Sequence, residues 1–473
     1  MDHPIYVAGE WQTSGDPLPV TNPADGSLVG RTFNASPEQY ERAVTAAQAV
    51  AGQQAKQPAY ERGRQLRAIA ERILARKDEI GALIALEAGK PVRDAVVEAE
   101  RGAFTFRLAA EEAERSYGEV IPLDLNEVSR GRTGITRRFP IGPVAGISPF
   151  NLPLGLAAHK VAPALATGCP IVLKPPSAAP LTMLLVAQII DEVGALPGSV
   201  SVLPMSRALG DRLVEDPRFN LLTFTGSPAV GWSMKARAGR KKVVLELGGN
   251  AGAIVDTTAD LDHAAARCAY GAFKYAGQIC ISVQRIFVLE DVWEPFLERF
   301  LARTDALVVG DPSDAGVDLG PLIDDGAAAR TQGWVDEAVA AGATLLRGGK
   351  GEGRYFAPTV LTDVPHDANI CREEAFAPVV VLERVAGFDA ALAAVNDSAF
   401  GLQAGVFTND LRHSWQAFNE LHVGGVVLND APTYRIDHMP YGGVKDSGLG
   451  REGLRWAMED MTEIRIFVVP DRV

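Results

Sequence analysis

Short apolar segments that alternate with helical stretches from Pro143 onward constrain the fold of this chain most strongly. Five apolar runs are predicted to be strands, at 144–147, 171–174, 200–203, 221–224 and 243–247. The helices predicted between them begin at Gly155, Leu181, Arg207 and Pro228. Alternation of this kind indicates βαβ units, which build a parallel, doubly wound sheet that binds nucleotides at the carboxyl ends of its strands.

A second alternation of the same kind occupies the second half of the chain. It comprises a helix that begins at Trp293 and predicted strands at 253–255, 285–289, 379–382 and 426–429. This α/β unit is joined to the first near Leu247-Gly248-Gly249. We therefore expect a cleft between two α/β units, which is a usual place for an active site.

The N-terminal part is predicted to be a short β region followed by helices. Ser36 and Gln39 occupy the positions of a capping box, with Pro37 at the first helical position. Apolar residues at helical spacing predict a second helix from about Glu61 that closes at Gly89. A third helix is predicted over roughly 94–116.

The composition narrows the possible functions. The chain has 473 residues and a formal net charge of −13, which disfavours nucleic acid or an anionic membrane as a partner. The apolar runs are too short to span a bilayer, and the N-terminus lacks a signal-peptide pattern, so a cytoplasmic location is expected. The four cysteines form no C-x-x-C pair, which disfavours a zinc site, and we expect no bound metal.

Three polar residues stand where predicted strands or helices end in loops, the usual place for functional groups. Cys280 follows a helix predicted over 261–276. Glu246 lies near the end of the strand 243–247, before two glycines, and Asn151 follows the strand 144–147. Taken singly, a buried cysteine, a solvated glutamate and a turn-forming asparagine are the default interpretations.

Seven motifs, occurring together and in order, change that interpretation. They are PFN (149–151), KPPS (174–177), FTGSPAVG (224–231), LELGGN (245–250), GQIC (277–280), EEAFAPV (373–379) and PYGGVKDSGLGRE (440–452). With them the chain resembles the NAD(P)-dependent aldehyde dehydrogenase superfamily over nearly its whole length. It looks most like the branch of lactaldehyde and non-phosphorylating glyceraldehyde-3-phosphate dehydrogenases. The resemblance implies an α/β fold with a Rossmann-like cofactor domain, an α/β catalytic domain and a small β oligomerisation arm.

The three polar residues also suit aldehyde oxidation on chemical grounds. A thiolate at Cys280 adds to an aldehyde carbonyl and forms a thiohemiacetal. The side-chain amide of Asn151 and the backbone N–H of Cys280 can stabilise its oxyanion. Loss of hydride leaves a thioester, and Glu246 is the candidate base that activates water for its hydrolysis. The family resemblance implies the same three roles.

The resemblance further implies which residues hold NAD or NADP. Lys174 would reach the adenosine ribose, and Gly226 and Ser227 would present a helix N-terminus to the pyrophosphate. Glu374 and Phe376 resemble the family's clamp on the nicotinamide-side ribose.

One departure from the family pattern concerns the choice of cofactor. Many NAD-preferring relatives have a glutamate three residues after the motif lysine, and here that position is Ser177. A carboxylate would repel the 2′-phosphate of NADP, whereas a hydroxyl can donate a hydrogen bond to it. The substitution predicts that NADP is tolerated; the alternative is that Ser177 is only a small loop residue.

Candidate substrate contacts are His159, Arg107 and Arg435. His159 falls two helical turns beyond Asn151, where relatives often place an aromatic residue that lines the substrate tunnel. A histidine with two arginines would suit a small aldehyde that carries a carboxylate, phosphate or hydroxyl group. The alternatives are solvated arginines on the surface and a structural histidine.

The domain boundaries follow from the resemblance. The NAD(P)-binding domain is predicted over 1–117 and 138–247, and the catalytic domain over 248–460. The oligomerisation arm would combine 118–137 with 461–473, including a late strand over 463–469. That strand alternates but has no neighbouring strand in the sequence, which favours pairing with another chain in a homodimer or homotetramer.

Three other functions fit parts of the sequence. A coenzyme A-acylating relative would release the thioester to coenzyme A, and Glu246 argues for water instead. A thiol hydrolase or esterase that uses Cys280 would need no cofactor, which the cofactor motifs contradict. A non-catalytic structural or binding homologue would have no need of Cys280, Glu246 and Asn151 together.

Overall fold

The structure is a computed structural model that describes residues 2–115 and 118–470. The predicted end of the third helix at Ser116 lies outside the described residues, as do Met1, Tyr117 and residues 471–473 of the predicted domain ranges.

Helices and strands alternate through most of the described chain. The helices are α1 Pro37–Ala55, α2 Ala59–Ala75, α3 Lys77–Ala88, α4 Val92–Glu114, α5 Gly155–Thr167, α6 Leu181–Glu192, α7 Arg207–Glu215, α8 Pro228–Arg237, α9 Leu261–Phe273, α10 Trp293–Asp305, α11 Asp325–Ala340, α12 Asn369–Arg372, α13 Phe388–Asn396, α14 Leu411–Glu420 and α15 Leu454–Asp460. Short 3₁₀ turns occupy Glu127–Ser129, Lys274–Gly277 and Glu290–Val292. The strands are β1 Ile5–Val7, β2 Glu10–Gln12, β3 Pro17–Thr21, β4 Leu28–Phe33, β5 Val120–Pro122, β6 Arg132–Pro140, β7 Val144–Ile147, β8 Ile171–Lys174, β9 Val200–Val202, β10 Leu221–Thr225, β11 Lys242–Glu246, β12 Ala251–Val255, β13 Val283–Leu289, β14 Thr344–Arg347, β15 Gly351–Glu352, β16 Tyr355–Phe356, β17 Thr359–Thr362, β18 Val379–Val385, β19 Phe400–Gly401, β20 Gln403–Phe407, β21 Gly425–Leu428, β22 Val444–Lys445, β23 Gly448–Leu449 and β24 Thr462–Pro470.

The first large sheet contains all five strands predicted from Pro143 onward, and the predicted doubly wound arrangement is confirmed. Its strand order is β2-β1-β9-β8-β7-β10-β11-β23, and the five strands from β9 to β11 are parallel. Strand β7 is the first of these five in the chain and lies between β8 and β10, so the topology switches direction there. Ligands bind at such a switch point, beyond the carboxyl ends of the strands. Residues 149–151 follow β7 at this place.

The second large sheet has the order β14-β17-β18-β13-β12-β20-β21 and is parallel except for β14. It contains the four strands predicted for the second unit. Residues 247–250 connect β11 of the first sheet with β12 of the second, where the junction was expected. The connection places Glu246, the last residue of β11, beside the boundary between the two sheets.

Alternating side chains of the first sheet enter two different cores, as the period of two in a strand requires. In β8, Ile171 and Leu173 face the core formed with α2 to α6, whereas Val172 faces the core formed with α1 and α7. Both faces of the sheet are therefore covered, which is the usual condition of a parallel sheet.

Two predicted helices differ from those in the structure. The single helix expected from about Glu61 to Gly89 is divided into α2 and α3 at Arg76, which has φ −108° and ψ 17°. No proline or glycine stands at this break, so the local sequence gives no signal for it. The helix expected over 261–276 ends at Phe273, because the next residues adopt a left-handed turn.

The small third sheet has the order β24-β6-β5 and is antiparallel. Strand β24 pairs with β6 of its own chain from Thr462 to Pro470. Within the range 248–460 predicted for the catalytic domain, β23 pairs with β11 of the first sheet and α15 packs on α4 and α5. Residues 448–460, at the end of the range predicted for the catalytic domain, therefore pack with the first large sheet and its helices.

No helix in residues 2–115 and 118–470 is long and apolar enough to cross a membrane.

Candidate active site

The loops that contain Asn151 and Cys280 are joined directly. The side-chain amide of Asn151 is buried and donates a hydrogen bond to the carbonyl oxygen of Gln278 at 2.9 Å. The buried side chain of Gln278 is itself held, since it donates to Pro321 O at 3.2 Å and accepts from Ile323 N–H at 2.9 Å. These bonds bring the loop after β7 against the loop before β13.

The backbone just before Cys280 forms a left-handed turn. Tyr275 and Ala276 both have φ 51°, and Gly277 has φ 70°. Such values are costly for residues with a side chain, so packing around them must enforce the turn. A Cβ atom at Gly277 would lie 2.1 Å from the carbonyl oxygen of Ala377, which explains the glycine of the GQIC motif.

The Cys280 thiol is partly buried and has a polar neighbour. Its Sγ lies 3.0 Å from the hydroxyl of Tyr441. Burial raises the pKa of the Cys280 thiol to about 12, and the hydrogen bond from Tyr441 acts in the opposite direction. In the free protein the thiol is therefore mostly protonated at neutral pH.

Glu246 is a buried carboxyl group at the end of β11. Neither of its oxygens has a hydrogen-bond partner in the described part of the chain. Burial raises the pKa of Glu246 well above its usual value, and the nearby Glu452 raises it further. A Cβ atom at Gly442 would lie 2.7 Å from Glu246 Oε1, so the glycine keeps the space beside this carboxyl group open.

A buried ion-paired cluster lies behind Glu246. Lys160 Nζ lies 3.1 Å from Glu452 Oε1, and Arg435 Nη2 lies 3.0 Å from Glu452 Oε2. The two cations depress the pKa of Glu452 to about 2, although burial alone would raise it. Glu452 is therefore ionised at neutral pH while Glu246 beside it favours the protonated form.

Cys280 lines a cavity of about 290 Å³. Its wall carries five basic and three acidic side chains among the described residues: Lys90, Arg101, Arg267, Lys274, Arg435, Asp94, Glu98 and Asp437. Three buried polar atoms of the wall have no hydrogen-bond partner within residues 2–115 and 118–470, namely His159 Nδ1, Thr433 Oγ1 and Arg435 Nε. Unpartnered buried polar atoms are costly unless a ligand or water satisfies them.

Two of the three predicted substrate contacts line this cavity. His159 Nε2 lies 3.1 Å from Asp437 Oδ1, and burial lowers the pKa of the imidazole. Arg435 lies with its guanidinium 3.8 Å from the centre of the Tyr441 ring. The structure thus brings His159 and Arg435 together near Cys280.

The third predicted contact, Arg107, is corrected by the structure. Arg107 is exposed, rests on the ring of Phe104 and does not line the cavity. Arg101 occupies the wall instead and donates to Asp437 at 2.7 Å. The two arginines of α4 are six residues apart and therefore point about 120° away from each other around the helix axis, toward different faces of the helix.

Glu374 and Phe376 lie beside the junction of the two sheets. Glu374 Oε1 accepts a hydrogen bond from Gly249 N–H at 3.1 Å, and burial raises the pKa of the carboxyl group to about 7. Phe376 has φ 50°, and its ring meets that of Phe150, next to Asn151, edge to face at 6.0 Å. Both residues therefore approach the loops of the catalytic candidates.

The remaining predicted cofactor residues follow neighbouring strands of the first sheet. Lys174 ends β8, and burial lowers the pKa of its amine, with no opposing contribution from any carboxylate among the described residues. Ser177 is exposed in the next loop. Gly226 and Ser227 follow β10 and precede α8, whose first turn has no side-chain cap in the described structure.

Several site residues escaped the sequence-based prediction. Lys160 carried a usable signal, since it is a charged residue in the predominantly apolar helix α5. Arg101 and Asp437 carried none of their own, because their roles depend on contacts between distant parts of the chain. Tyr441 and Glu452 lie within the motif at 440–452, which marked the segment but not their individual contacts. No group of three or more potential metal ligands occurs in the described structure.

Comparison with known proteins identifies the family of this chain. The profile of the aldehyde dehydrogenase family matches residues 11–467. The chain is 42% identical over 466 residues to a 3-sulfolactaldehyde dehydrogenase of Priestia aryabhattai, covering 98% of this chain and 97% of that protein.

Solved structures superpose over nearly the full length. Aldehyde dehydrogenase 21 from Physcomitrella patens, in complex with the reaction product succinate, is 44% identical with a TM-score of 0.98, covering 100% of this chain and 98% of that one. Glyceraldehyde-3-phosphate dehydrogenase from Methanocaldococcus jannaschii, complexed with NADP, is 39% identical with a TM-score of 0.92, covering 96% and 99%. The resemblance drawn from the seven motifs is thereby confirmed, and the chain is an enzyme that belongs to the aldehyde dehydrogenase family.

Proposed function

We propose that this enzyme oxidises a small aldehyde bearing a hydroxyl, carboxylate or phosphate group to the corresponding acid, with NAD⁺ or NADP⁺ as oxidant. The observation that carries the proposal is the cavity lined by Cys280, because three buried polar atoms of its wall have no hydrogen-bond partner in the described part of the chain. A small polar or anionic substrate would satisfy those atoms, whereas an alkyl chain would leave them unpaired.

In the first half of the reaction, Cys280 would attack the aldehyde carbonyl as a thiolate. The amide nitrogen of Asn151 has two N–H groups, and one of them is used by Gln278 O. The second can bind the oxyanion of the thiohemiacetal, together with the backbone N–H of Cys280. The bond to Gln278 orients the amide for this purpose.

Replacing Asn151 by Ala is expected to lower kcat/KM by about 10²–10³. Nucleotide binding should be unchanged, because the two groups that lose a donor, the oxyanion and Gln278 O, are not predicted cofactor contacts. Steady-state kinetics and calorimetric titration with NADP⁺ measure the two effects. An equal loss of nucleotide affinity would show instead that Asn151 supports the fold of the cofactor site.

NAD(P)⁺, when bound, supplies the hydride acceptor of the reaction. The uncapped first turn of α8 at Ser227 offers free N–H groups for the pyrophosphate. Lys174 and Glu374 would hold the two riboses. Within the described residues Lys174 has no carboxylate partner, and Glu374 Oε1 accepts a hydrogen bond from Gly249 N–H. The absence of a carboxylate at the exposed Ser177 supports tolerance of the 2′-phosphate of NADP.

Nucleotide affinity is expected to fall in acid because of Glu374. The carboxylate form accepts a ribose hydroxyl, and the pKa near 7 means that this form is lost as the pH falls below about 7. Titration of one such group weakens binding about fivefold between about pH 7 and pH 6. Fluorescence titration with NADPH at several pH values measures this, and Glu374→Gln should flatten the profile. A Glu374→Gln profile as steep as the wild type would contradict the assignment.

In the second half of the reaction, Glu246 would take a proton from the water that attacks the Cys280 thioester. Both oxygens of Glu246 are unpartnered in the described residues, and Gly442 leaves space beside them. The raised pKa makes the carboxylate, once ionised, a stronger base than an exposed glutamate. These observations support hydrolysis by water rather than transfer to coenzyme A.

The proposal extends to assembly and location. Strand β24 exposes Ile464, Ile466 and Phe467, whose relative accessibilities are 60%, 52% and 68%. An apolar surface of this kind on a small sheet supports the predicted homodimer or homotetramer. The oligomerisation arm, the three predicted domain ranges and the cytoplasmic location stay predictions.

The function is tested with a panel of aldehydes and both cofactors, following the absorbance of NAD(P)H. The panel comprises lactaldehyde, glyceraldehyde-3-phosphate, succinate semialdehyde and hexanal, with the product identified as free acid or thioester. We expect the polar aldehydes to exceed hexanal in kcat/KM and to give free acid without coenzyme A. A preference for hexanal would contradict the substrate class, and a strict need for coenzyme A would contradict hydrolysis.

A further inference from the structure

The hydroxyl of Tyr441 is hydrogen-bonded to the sulfur of Cys280, and the position of the tyrosine is fixed from three sides. Its backbone pairs with that of Glu452 through two hydrogen bonds, from Tyr441 N–H to Glu452 O and from Glu452 N–H to Tyr441 O. The Arg435 guanidinium covers one face of its ring at 3.8 Å. The ring is buried and packs with Ile281 and Leu402. The hydroxyl therefore has little freedom to move away from Cys280 Sγ, 3.0 Å distant.

The direction of this hydrogen bond depends on the state of the sulfur. With a neutral thiol, either group can donate the proton. A thiolate has no proton, so only the Tyr441 hydroxyl can donate, and hydrogen bonds to a charged acceptor are the stronger kind. The bond therefore favours the thiolate over the thiol.

The other groups that act on Cys280 do not replace this donor. Glu374 and Glu246 oppose a negative charge on the sulfur, and Arg435 favours it. Arg435, however, is already paired with Glu452 at 3.0 Å. Burial opposes the thiolate most strongly of all. The hydroxyl of Tyr441 is thus the direct contact that offsets the cost of ionising Cys280 in this site.

We propose that Tyr441 is a catalytic residue, whose hydroxyl donates a hydrogen bond to the Cys280 thiolate and so increases the fraction of enzyme that can attack an aldehyde. Ionisation of Cys280 breaks its S–H bond and releases the proton to water in the cavity, whereas the O–H bond of the tyrosine stays intact throughout. The inference rests on Cys280 being the nucleophile of the proposed function, but its test requires no aldehyde.

The test is the rate at which iodoacetamide alkylates Cys280 in the Tyr441→Phe enzyme, read from the Cys280 peptide by mass spectrometry between about pH 7 and pH 9. Phenylalanine keeps the ring and removes only the hydroxyl. A lost hydrogen bond to a charged group lowers the thiolate fraction about 10- to 100-fold, partly offset because a more basic thiolate is more nucleophilic. We therefore expect alkylation to be slowed roughly 4- to 15-fold at each pH.

Tyr40→Phe is the matched control, because Tyr40 is also buried and donates to a single partner, Asp216, at 2.8 Å, outside the cavity. In the Tyr40→Phe enzyme, iodoacetamide should alkylate Cys280 at the wild-type rate. NADP⁺ affinity equal to that of the wild type shows that the Tyr441→Phe enzyme is folded. Unchanged or faster alkylation in that folded enzyme would overturn the inference. A slower rate in an enzyme that oxidises none of the aldehydes would support the role of Tyr441 and reject the proposed function instead.

Discussion

Replacing Cys280 by Ala is expected to abolish aldehyde-dependent NAD(P)H formation, with kcat lowered by at least about 10⁴. The methyl group of alanine cannot form the thiohemiacetal, and no second cysteine lines the cavity in the described structure. Nucleotide binding should persist, because the predicted cofactor residues are untouched. Steady-state kinetics with the best aldehyde, together with titration by NADPH, measure both effects.

Cys371→Ala is the matched control for this experiment. Cys371 is also partly buried, and burial raises the pKa of its thiol to about 11. It lies near Arg285, away from the cavity lined by Cys280. Full activity is expected for this variant. Loss of activity in Cys371→Ala but not in Cys280→Ala would show that Cys371, and not Cys280, is the nucleophile.

The elements that hold the site were predictable because their signals are local. The strands at 144–147 and 243–247 stand out as apolar runs, and Asn151 and Glu246 stand at their ends. The parallel topology then brings the ends of β7, β10 and β11 to one edge of the sheet. The catalytic and cofactor-binding roles came from the family resemblance of the seven ordered motifs, because hydrophobic periodicity indicates only helices and strands.

What the sequence did not reveal depends on helix phase and on long-range contact. Arg101 and Arg107 are the same residue type on the same helix, and only the packing of α4 determines which one faces the cavity. Tyr441 and Asp437 reach Cys280 and His159 across 161 and 278 residues of chain. Such pairings depend on how distant loops pack against each other, which no local pattern encodes.

Replacing Glu246 by Gln is expected to separate the two halves of the reaction. The amide keeps the size of the side chain but cannot accept a proton from water, so hydrolysis of the thioester should slow by about 10²–10⁴. Attack by Cys280 does not require this base. Rapid mixing of enzyme with aldehyde and NADP⁺ should therefore give a burst of about one NADPH per active site, followed by a slow steady state.

Glu87→Gln tests whether any buried glutamate would behave in this way. Burial raises the pKa of Glu87 to about 7, and its carboxylate accepts hydrogen bonds from the N–H groups of Leu181 and Thr182 at the start of α6. It does not line the cavity, so normal turnover without a burst is expected. An acyl-enzyme detected by mass spectrometry in Glu246→Gln alone would identify hydrolysis as the blocked step.

The stability of Glu246→Gln distinguishes loss of a base from loss of structure. A carboxyl group whose pKa is raised in the folded state opposes folding increasingly as the pH rises through its unfolded value toward the folded one. Above the unfolded-state pKa, Glu246 either retains its proton or carries a buried charge that is unpartnered in the described structure, and either costs stability that a neutral amide avoids. The variant should therefore have a Tm at about pH 8 no lower than the wild type. A slow enzyme with a lower Tm and no burst would mean that Glu246 supports the site rather than activating water.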